Sequence, residues 1–278
     1  MKFAKMHGLG NDFVLVDDTA LALREEELPE LGRRVCDRHF GIGADGLILV
    51  QPSGVADVRM RVINSDATEA DMCGNGIRCF AVFVRTRGIS DANPLRVETR
   101  PGVMVVDIRE DAAGSYNVRV DMGVPRLERA DVPMTGEGSA MNVPVQVNGE
   151  EFVVTGVSMG NPHGVIFVDD VEAIDLARVG PLLCRHPVFP KKANIHFVQR
   201  IGTDELKMRV CERGAGITMA CGTGACAVTV ASTLHGYVNR KAKVHLPGGT
   251  LMIEWAEDGH VFMTGPAVEV FEGDIEIA

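Results

Sequence analysis

Two cysteines of this 278-residue chain stand where a thiol can do chemistry. Cys73 precedes Gly74-Asn75-Gly76, and Cys221 precedes Gly222-Thr223-Gly224. Each Gly-x-Gly opens a helical pattern, so each cysteine falls at or just before a helix N-terminus. That end of a helix carries about half a positive charge and unpaired N–H groups. A thiol there ionises more readily, and the same N–H groups can hold a carboxylate. The glycines let backbone approach a ligand closely. One motif therefore offers a base beside an anion cradle. Two of them facing one carbon could take a proton from one face and deliver one to the other, which inverts a stereocentre. The carbanion formed α to a carboxylate needs stabilising. Two helix N-termini converging in a cleft that excludes water can supply that.

An inert, packed thiol is the commoner fate of a cysteine. Cys36, Cys79, Cys184, Cys211 and Cys226 are read that way, the last two of the helical pairs, Cys79 and Cys226, lying inside the helices. Cys73 and Cys221 are read as functional because a glycine-flanked helix start suits packing poorly.

The elements that position these thiols occur twice. Met60-Arg61-Val62 stands before Cys73 and Met208-Arg209-Val210 before Cys221 at the same distance. Gly10-Asn11 and Gly160-Asn161 lie earlier in each half, each followed by an apolar run ending in Asp17-Asp18 or Asp169-Asp170. The near-constant offset between counterparts indicates one fold unit used twice. After Cys73, Ile77, Phe80, Ala81 and Val84 form a single apolar helical stripe, with Gly88 as its stop. After Cys221, Ala225 to Leu234 is small and apolar nearly all round, which predicts a deeply buried helix stopped by Gly236. Leu28 to His39 reads as a further helix. Short apolar runs between turn residues read as strands, among them Leu95–Thr99, Val103–Ile108, Tyr116–Asp121 and Val261–Thr264. Two similar halves, rich in strands with few helices, make an α+β fold.

With 28 Lys and Arg against 38 Asp and Glu, the net charge is −10. That argues against nucleic acid as a partner, which needs clustered basic residues. No stretch approaches the roughly 20 apolar residues of a membrane helix, and Met1 to His7 has no signal-peptide core. Seven cysteines without a C-x-x-C pair point to a reducing cytoplasm rather than a disulfide framework. No P-loop is present, and Gly8-Leu9-Gly10 and Gly41-Ile42-Gly43 are not dinucleotide fingerprints. The Cys and His spacings match no zinc site, and nothing flags a Schiff-base lysine. Neither a metal nor a cofactor is expected.

Other polar residues have two readings each. Glu212 and its counterpart Asn64 follow Met-Arg-Val by two residues. Glu212 could bind a substrate ammonium, while Asn64 reads equally as a turn residue. Arg213 could clamp a second carboxylate bidentately or lie exposed. Asn161 and His163, in Gly160-Asn161-Pro162-His163-Gly164, could bind substrate and tune a thiol, or serve a turn. Asn11 shares that ambiguity, and Asn194 has no local reason to be singled out.

These residues resemble the diaminopimelate epimerases. The resemblance runs through Lys5 to Phe13, His39 to Asp45, Asn64-Ser65-Asp66 with Glu69, and Met72 to Ala81. It continues through Val157 to His163, Glu212 to Gly216, Ala220 to Ala227 and Gly265-Pro266-Ala267. It implies a cofactor-independent isomerase that interconverts LL- and meso-diaminopimelate, built as two pseudo-symmetric lobes. Each lobe is a strand-rich, barrel-like sheet around a central helix. The lobes span residues 1–121 and 122–266, with the last strand, about 267–278, returning to the first. Cys73 and Cys221 are the implied acid/base pair. Backbone N–H groups near Gly74, Asn75, Gly222 and Thr223 would hold the reacting carboxylate. Asn64, Asn161, Asn194 and Arg213 would fix the distal end, with Asn11 nearby, while Glu212 and His163 would modulate the thiols or the substrate amine. The family is cytoplasmic and homodimeric and serves lysine and peptidoglycan synthesis. This chain departs from it at Gly46, where some members carry Gln, at Ile217, where many carry Glu, and at Lys192-Ala193, which replaces Arg-Thr. Two other readings of the thiols are a racemase for another amino acid and a redox-sensing dithiol protein.

Overall fold

A computed structural model describes residues 1–21, 23–70 and 72–276. It divides into two compact units, Met1–Val120 with the segment from Thr264, and Asp121–Met263. Among the described residues no helix is long and apolar enough to cross a membrane.

The first unit runs β1 (Lys2–Gly8), β2 (Asn11–Asp17), α1 (Leu28–Cys36), β3 (Gly46–Gln51), β4 (Val58–Asn64), β5 (Glu69–Ala70), α2 (Gly74–Thr86), β6 (Leu95–Thr99), β7 (Gly102–Glu110) and β8 (Tyr116–Asp121). The second runs β9 (Val143–Val147), β10 (Glu150–Ser158), β11 (Pro162–Phe167), α3 (Leu176–Cys184), β12 (Asn194–Arg200), β13 (Glu205–Glu212), β14 (Gly216–Thr218), α4 (Gly222–Leu234), β15 (Lys241–Leu246), β16 (Gly249–Trp255) and β17 (Val261–Pro266). The chain then forms β18 (Val268–Asp274), which pairs antiparallel with β1 in the first unit. The expected last strand extends to 278, and its final two residues lie outside the described ones.

Both units use one pairing scheme. A hairpin (β1–β2, β10–β11) leads through a helical crossover to a parallel neighbour (β2–β3, β11–β12). A second hairpin (β3–β4, β12–β13) leads through the Cys-headed helix to another parallel pair (β4–β6, β13–β15). Parallel pairs need such crossovers because a tight turn cannot reverse the chain twice. The helix α2 packs against β1, β2, β3, β4 and β7, and α4 against β10, β11, β12, β15 and β16. Each is thus the central helix of its own unit. That explains why Ala225–Ser232 is buried on every side, as expected for a helix without a polar face. The strands between, such as β3 and β12, are buried on both faces and read as continuous apolar runs.

Two helices cover the outside. Leu28, Leu31 and Val35 of α1 pack on Leu47, Leu49 and Ile63. Leu176, Val179 and Leu183 of α3 pack on Ile195, Phe197 and Cys211. Each fully buried aliphatic side chain of this kind contributes roughly 1.5–3 kcal/mol. The sequence pattern predicts that α1 runs on to His39. It ends at Cys36, because Asp37 turns extended and its carboxylate accepts the N–H groups of His39 and Phe40 at 2.7 and 2.8 Å. Helix α3 is not visible in the sequence pattern, because Pro181 interrupts it. Packing overrides the lost hydrogen bond there.

Candidate active site

In the first unit Cys73 is the N-cap residue of α2, and its half-buried Sγ accepts the Gly76 N–H at 3.4 Å. The thiol also reaches Asn11 Oδ1 at 3.6 Å. The same oxygen accepts from Asn75 Nδ2 at 3.2 Å. Asn75 is in turn gripped by the fully buried Arg78, which donates to Asn75 Oδ1 and to the Gly74 carbonyl, both at 2.9 Å. Asn11 donates to Asp45 at 2.6 Å, and Asp45 shares Arg38 with Asp12.

Asp12 anchors this edge. Burial alone would raise its pKa, but hydrogen bonds and charge from Arg38 and Lys5 outweigh that and hold it at about 2. Its folded-state value is below the ordinary 3.8, so its stabilisation is full above that value and is lost as pH falls through about 2. Asp12→Asn should therefore cost about 2 kcal/mol at pH 7. In urea unfolding, the gap to wild type should narrow at pH 3; a gap that widens there would show that the charge is not the cause.

The second unit repeats the arrangement. Cys221 is the N-cap residue of α4. Its Sγ lies 3.7 Å from Thr223 Oγ1, which accepts from Asn161 Nδ2 at 3.3 Å. Asn11 and Asn161 are counterparts, as are Asn75 and Thr223. Each thiol thus meets a pair made of the asparagine at the start of the second hairpin strand and the second residue of the helix. The network then extends inward. Asn161 Oδ1 lies 2.9 Å from His163 Nε2, and His163 Nδ1 lies 2.9 Å from His196 Nε2. Both rings are fully buried. Burial first, then His196 and Arg213, push the His163 pKa well below its ordinary value, and burial pushes His196 down to about 3. Both imidazoles are neutral near pH 7.

Cys221 differs from the sequence expectation in ionisation. Its pKa is pushed well above the ordinary thiol value, first by burial and then by the charge of Glu212, with which it is hydrogen-bonded. Contacts to Thr223 and the Gly224 amide act the other way but are outweighed. A helix N-terminus favours a thiolate, yet desolvation wins when the sulfur is removed from water. Burial likewise pushes Cys36, Cys79 and Cys184 up to about 12. Raised pKa therefore does not distinguish Cys221 from packing cysteines; its polar partners do.

The second glycine of each motif serves a purpose that only the fold reveals. A Cβ on Gly224 would lie 2.2 Å from His196 Cε1 and 3.0 Å from Cys221 Sγ. A Cβ on Gly76 would lie 3.0 Å from Ile48 Cδ1. Ile48 and His196 are counterparts on β3 and β12. The space is taken by a strand side chain rather than kept for a ligand.

The remaining candidates fall into two groups. Asn194 is buried, and its Oδ1 accepts the Arg213 backbone N–H at 2.9 Å. Arg213 is exposed, with Nη1 3.3 Å from the Lys191 carbonyl. Glu212 sits beside them at the end of β13 and accepts from Thr218 at 2.5 Å. Asn194 and Glu212 each adjoin the register pair Ile195–Cys211, and their counterparts Gly46 and Asn64 are register partners in the first unit. Asn64 donates to Thr68 at 2.9 Å, a contact within its own turn. Gly74 and Asn75, Gly222 and Thr223 supply first-turn amides of α2 and α4, which lack intrahelical acceptors. His196 was not anticipated. Its signal was a polar residue where the other half of the repeat has Ile48. The chain spacing of Cys and His suggested no zinc site, but folding brings donor atoms of His163, His196 and Cys221 within 4.8 Å of one another.

The family model for diaminopimelate epimerase matches residues 3–128 and 155–270. A diaminopimelate epimerase of Moorella thermoacetica is 54% identical over 282 residues, covering 100% of both chains. One from Pelotomaculum thermopropionicum is 52% identical over 275 residues, covering 99% of this chain and 98% of that protein. Among solved structures, a Bacillus anthracis phenazine biosynthesis protein of the PhzF family aligns with a TM-score of 0.72. It is 18% identical and is covered over 99% of its length by 100% of this chain. A probable proline racemase from Agrobacterium radiobacter, solved with bound carbonate, aligns with a TM-score of 0.70 at 14% identity, covering 100% of this chain and 93% of that one. These two likenesses establish a shared fold.

Proposed function

This chain belongs to the diaminopimelate epimerase family, and from that premise we propose that Cys73 and Cys221 are the acid/base pair of its reaction. The protein is an isomerase that interconverts LL- and meso-diaminopimelate for lysine and peptidoglycan precursor synthesis. One thiolate takes the α-proton; the carbanion collapses onto the proton of the other thiol on the opposite face. The second sulfur is left as thiolate, ready for the reverse direction. Atoms and charge balance without an external electron sink.

The observation that carries this reading is the repeated thiol–asparagine–helix N-terminus arrangement, once at Cys73, Asn11 and Asn75 and once at Cys221, Asn161 and Thr223. First-turn amides at Gly74, Asn75, Gly222 and Thr223 hold the reacting carboxylate. They stabilise negative charge as it moves into the carboxylate. Burial and Glu212 favour the protonated form of Cys221, which suits its sulfur to deliver a proton. His163, neutral and tied to Asn161, orients the asparagine and donates no net charge. Asn64, Asn161, Asn194 and Arg213 bind the distal amino-acid end, with Asn11 beside them; Asn194 fixes the Arg213 backbone. The enzyme acts as a cytoplasmic homodimer on a small-molecule substrate.

The test is turnover of LL-diaminopimelate by reduced protein with no added cofactor. Arg213→Ala separates this reading from a general amino-acid racemase. A bidentate charge-assisted clamp is worth about 1.5–3 kcal/mol, so kcat/KM for diaminopimelate should fall roughly 10- to 100-fold. Any slow turnover of a monocarboxylic amino acid should hardly change. Equal losses on both substrates would remove Arg213 from the distal clamp.

A further inference from the structure

We propose that Cys221, His163 and His196 form a binding site for a soft divalent transition-metal ion such as zinc, and that its occupation silences the Cys221 thiol. The inhibitory part rests on the acid/base reading of Cys221; the binding part stands on geometry alone.

Three donor atoms, two imidazole nitrogens and one sulfur, already lie within 4.8 Å of one another, all on buried side chains. Two nitrogens and a thiolate are a donor set suited to zinc or cobalt, and three protein ligands leave a fourth position open. A tetrahedral ion with ordinary bond lengths needs its ligand atoms about 3.4–3.6 Å apart. The histidine nitrogens, now 2.9 Å apart, would part slightly, and the sulfur would close in. Gly224 makes room at this spot, since even a methyl group there would strike His196 and crowd Cys221.

Proton positions favour the exchange. Asn161 donates its amide to Thr223, so its Oδ1 accepts from His163 Nε2–H. His163 Nδ1 is then a bare lone pair, which accepts from His196 Nε2–H. Among the described residues His196 Nδ1 has no hydrogen-bond partner although it is buried. His196 can therefore move its proton from Nε2 to Nδ1 without breaking any bond at Nδ1. That leaves a lone pair on each of two adjacent nitrogens, which one ion can take up once the rings turn to face it. The Cys221 thiol loses its proton to solvent as the sulfur–metal bond forms. No electron is transferred. The adjacent Glu212 carboxylate, hydrogen-bonded to the thiol, offsets the remaining positive charge.

The probe is cobalt(II), added anaerobically to the reduced full-length protein without substrate. One equivalent should produce the thiolate-to-cobalt charge-transfer band and the visible bands of a tetrahedral site. Cys221→Ser should abolish the charge-transfer band, Cys73→Ser should keep it, and His196→Asn or His196→Gln should weaken binding about tenfold or more. Zinc should inhibit wild-type turnover, reversibly with a chelator, and inhibit the His196 variants at correspondingly higher concentration. Absence of the band, its survival in Cys221→Ser, or wild-type affinity in both His196 variants would mean an adventitious ion only and overturn the site. If cobalt binds as described but Cys221→Ser still turns over substrate normally, the site stands and the acid/base reading falls.

Discussion

Cys73→Ala and Cys221→Ala should each lower epimerase kcat by about 10^3-fold or more. A positioned acid or base contributes about 10²–10⁴-fold, and inversion needs one on each face. Losing either sulfur removes one face's proton, so the two single variants and the double variant should be nearly equal in loss. Such non-additivity is the mark of groups acting as a unit. The contrast is Cys79→Ala. Cys79 is fully buried inside α2, so its removal should lower stability by about 1–2 kcal/mol through a small cavity and leave kcat within a few-fold. Steady-state rates and thermal unfolding of the four variants check this. Normal turnover by either Cys73→Ala or Cys221→Ala would end the paired-thiol account.

The second large effect is steric. Gly224→Ala replaces a poor helix former with the best one, a gain of up to about 1 kcal/mol in an exposed helix. Here the new methyl would lie 2.2 Å from a ring carbon of the buried His196. Relief requires the buried ring or the first turn of α4, which Cys221 caps, to move, so overpacking wins and the variant should lose about 2 kcal/mol net. Turnover should fall more than tenfold as the sulfur shifts. Gly54→Ala, with nothing near its Cβ position, should be silent. Combining Gly224→Ala with His196→Ala should recover most of the stability, since the clash disappears with the ring. If the double variant is as unstable as the sum of the singles, the contact is not the cause.

What could be read before the structure follows from what is local. The starts of α2 and α4, their stops at Gly88 and Gly236, and the burial of α4 all depend on neighbouring residues, and the sequence carries them directly. The duplication was legible because each half keeps its own cysteine motif. The inward network of Asn161, His163 and His196 joins β11 to its parallel neighbour β12. Parallel pairing sets residues far apart in sequence side by side, so no spacing rule reveals it. Helix α3 was hidden because Pro181 breaks the local pattern while three buried aliphatic residues hold it from outside. The ionisation of Cys221 is hidden from the sequence for a similar reason. The helix end is visible in the sequence, but the depth of burial and the Glu212 contact come from the folded sheet.

The most direct measurement is early turnover of LL-diaminopimelate in deuterated water, with the isotope located in both product and unreacted substrate. Proton removal by one thiol and delivery by another require the meso product to carry solvent deuterium at the inverted carbon from the first turnovers, while the remaining LL substrate stays protonated. Product that retains the substrate's own hydrogen at that carbon would mean a single base working on both faces, and would contradict the account.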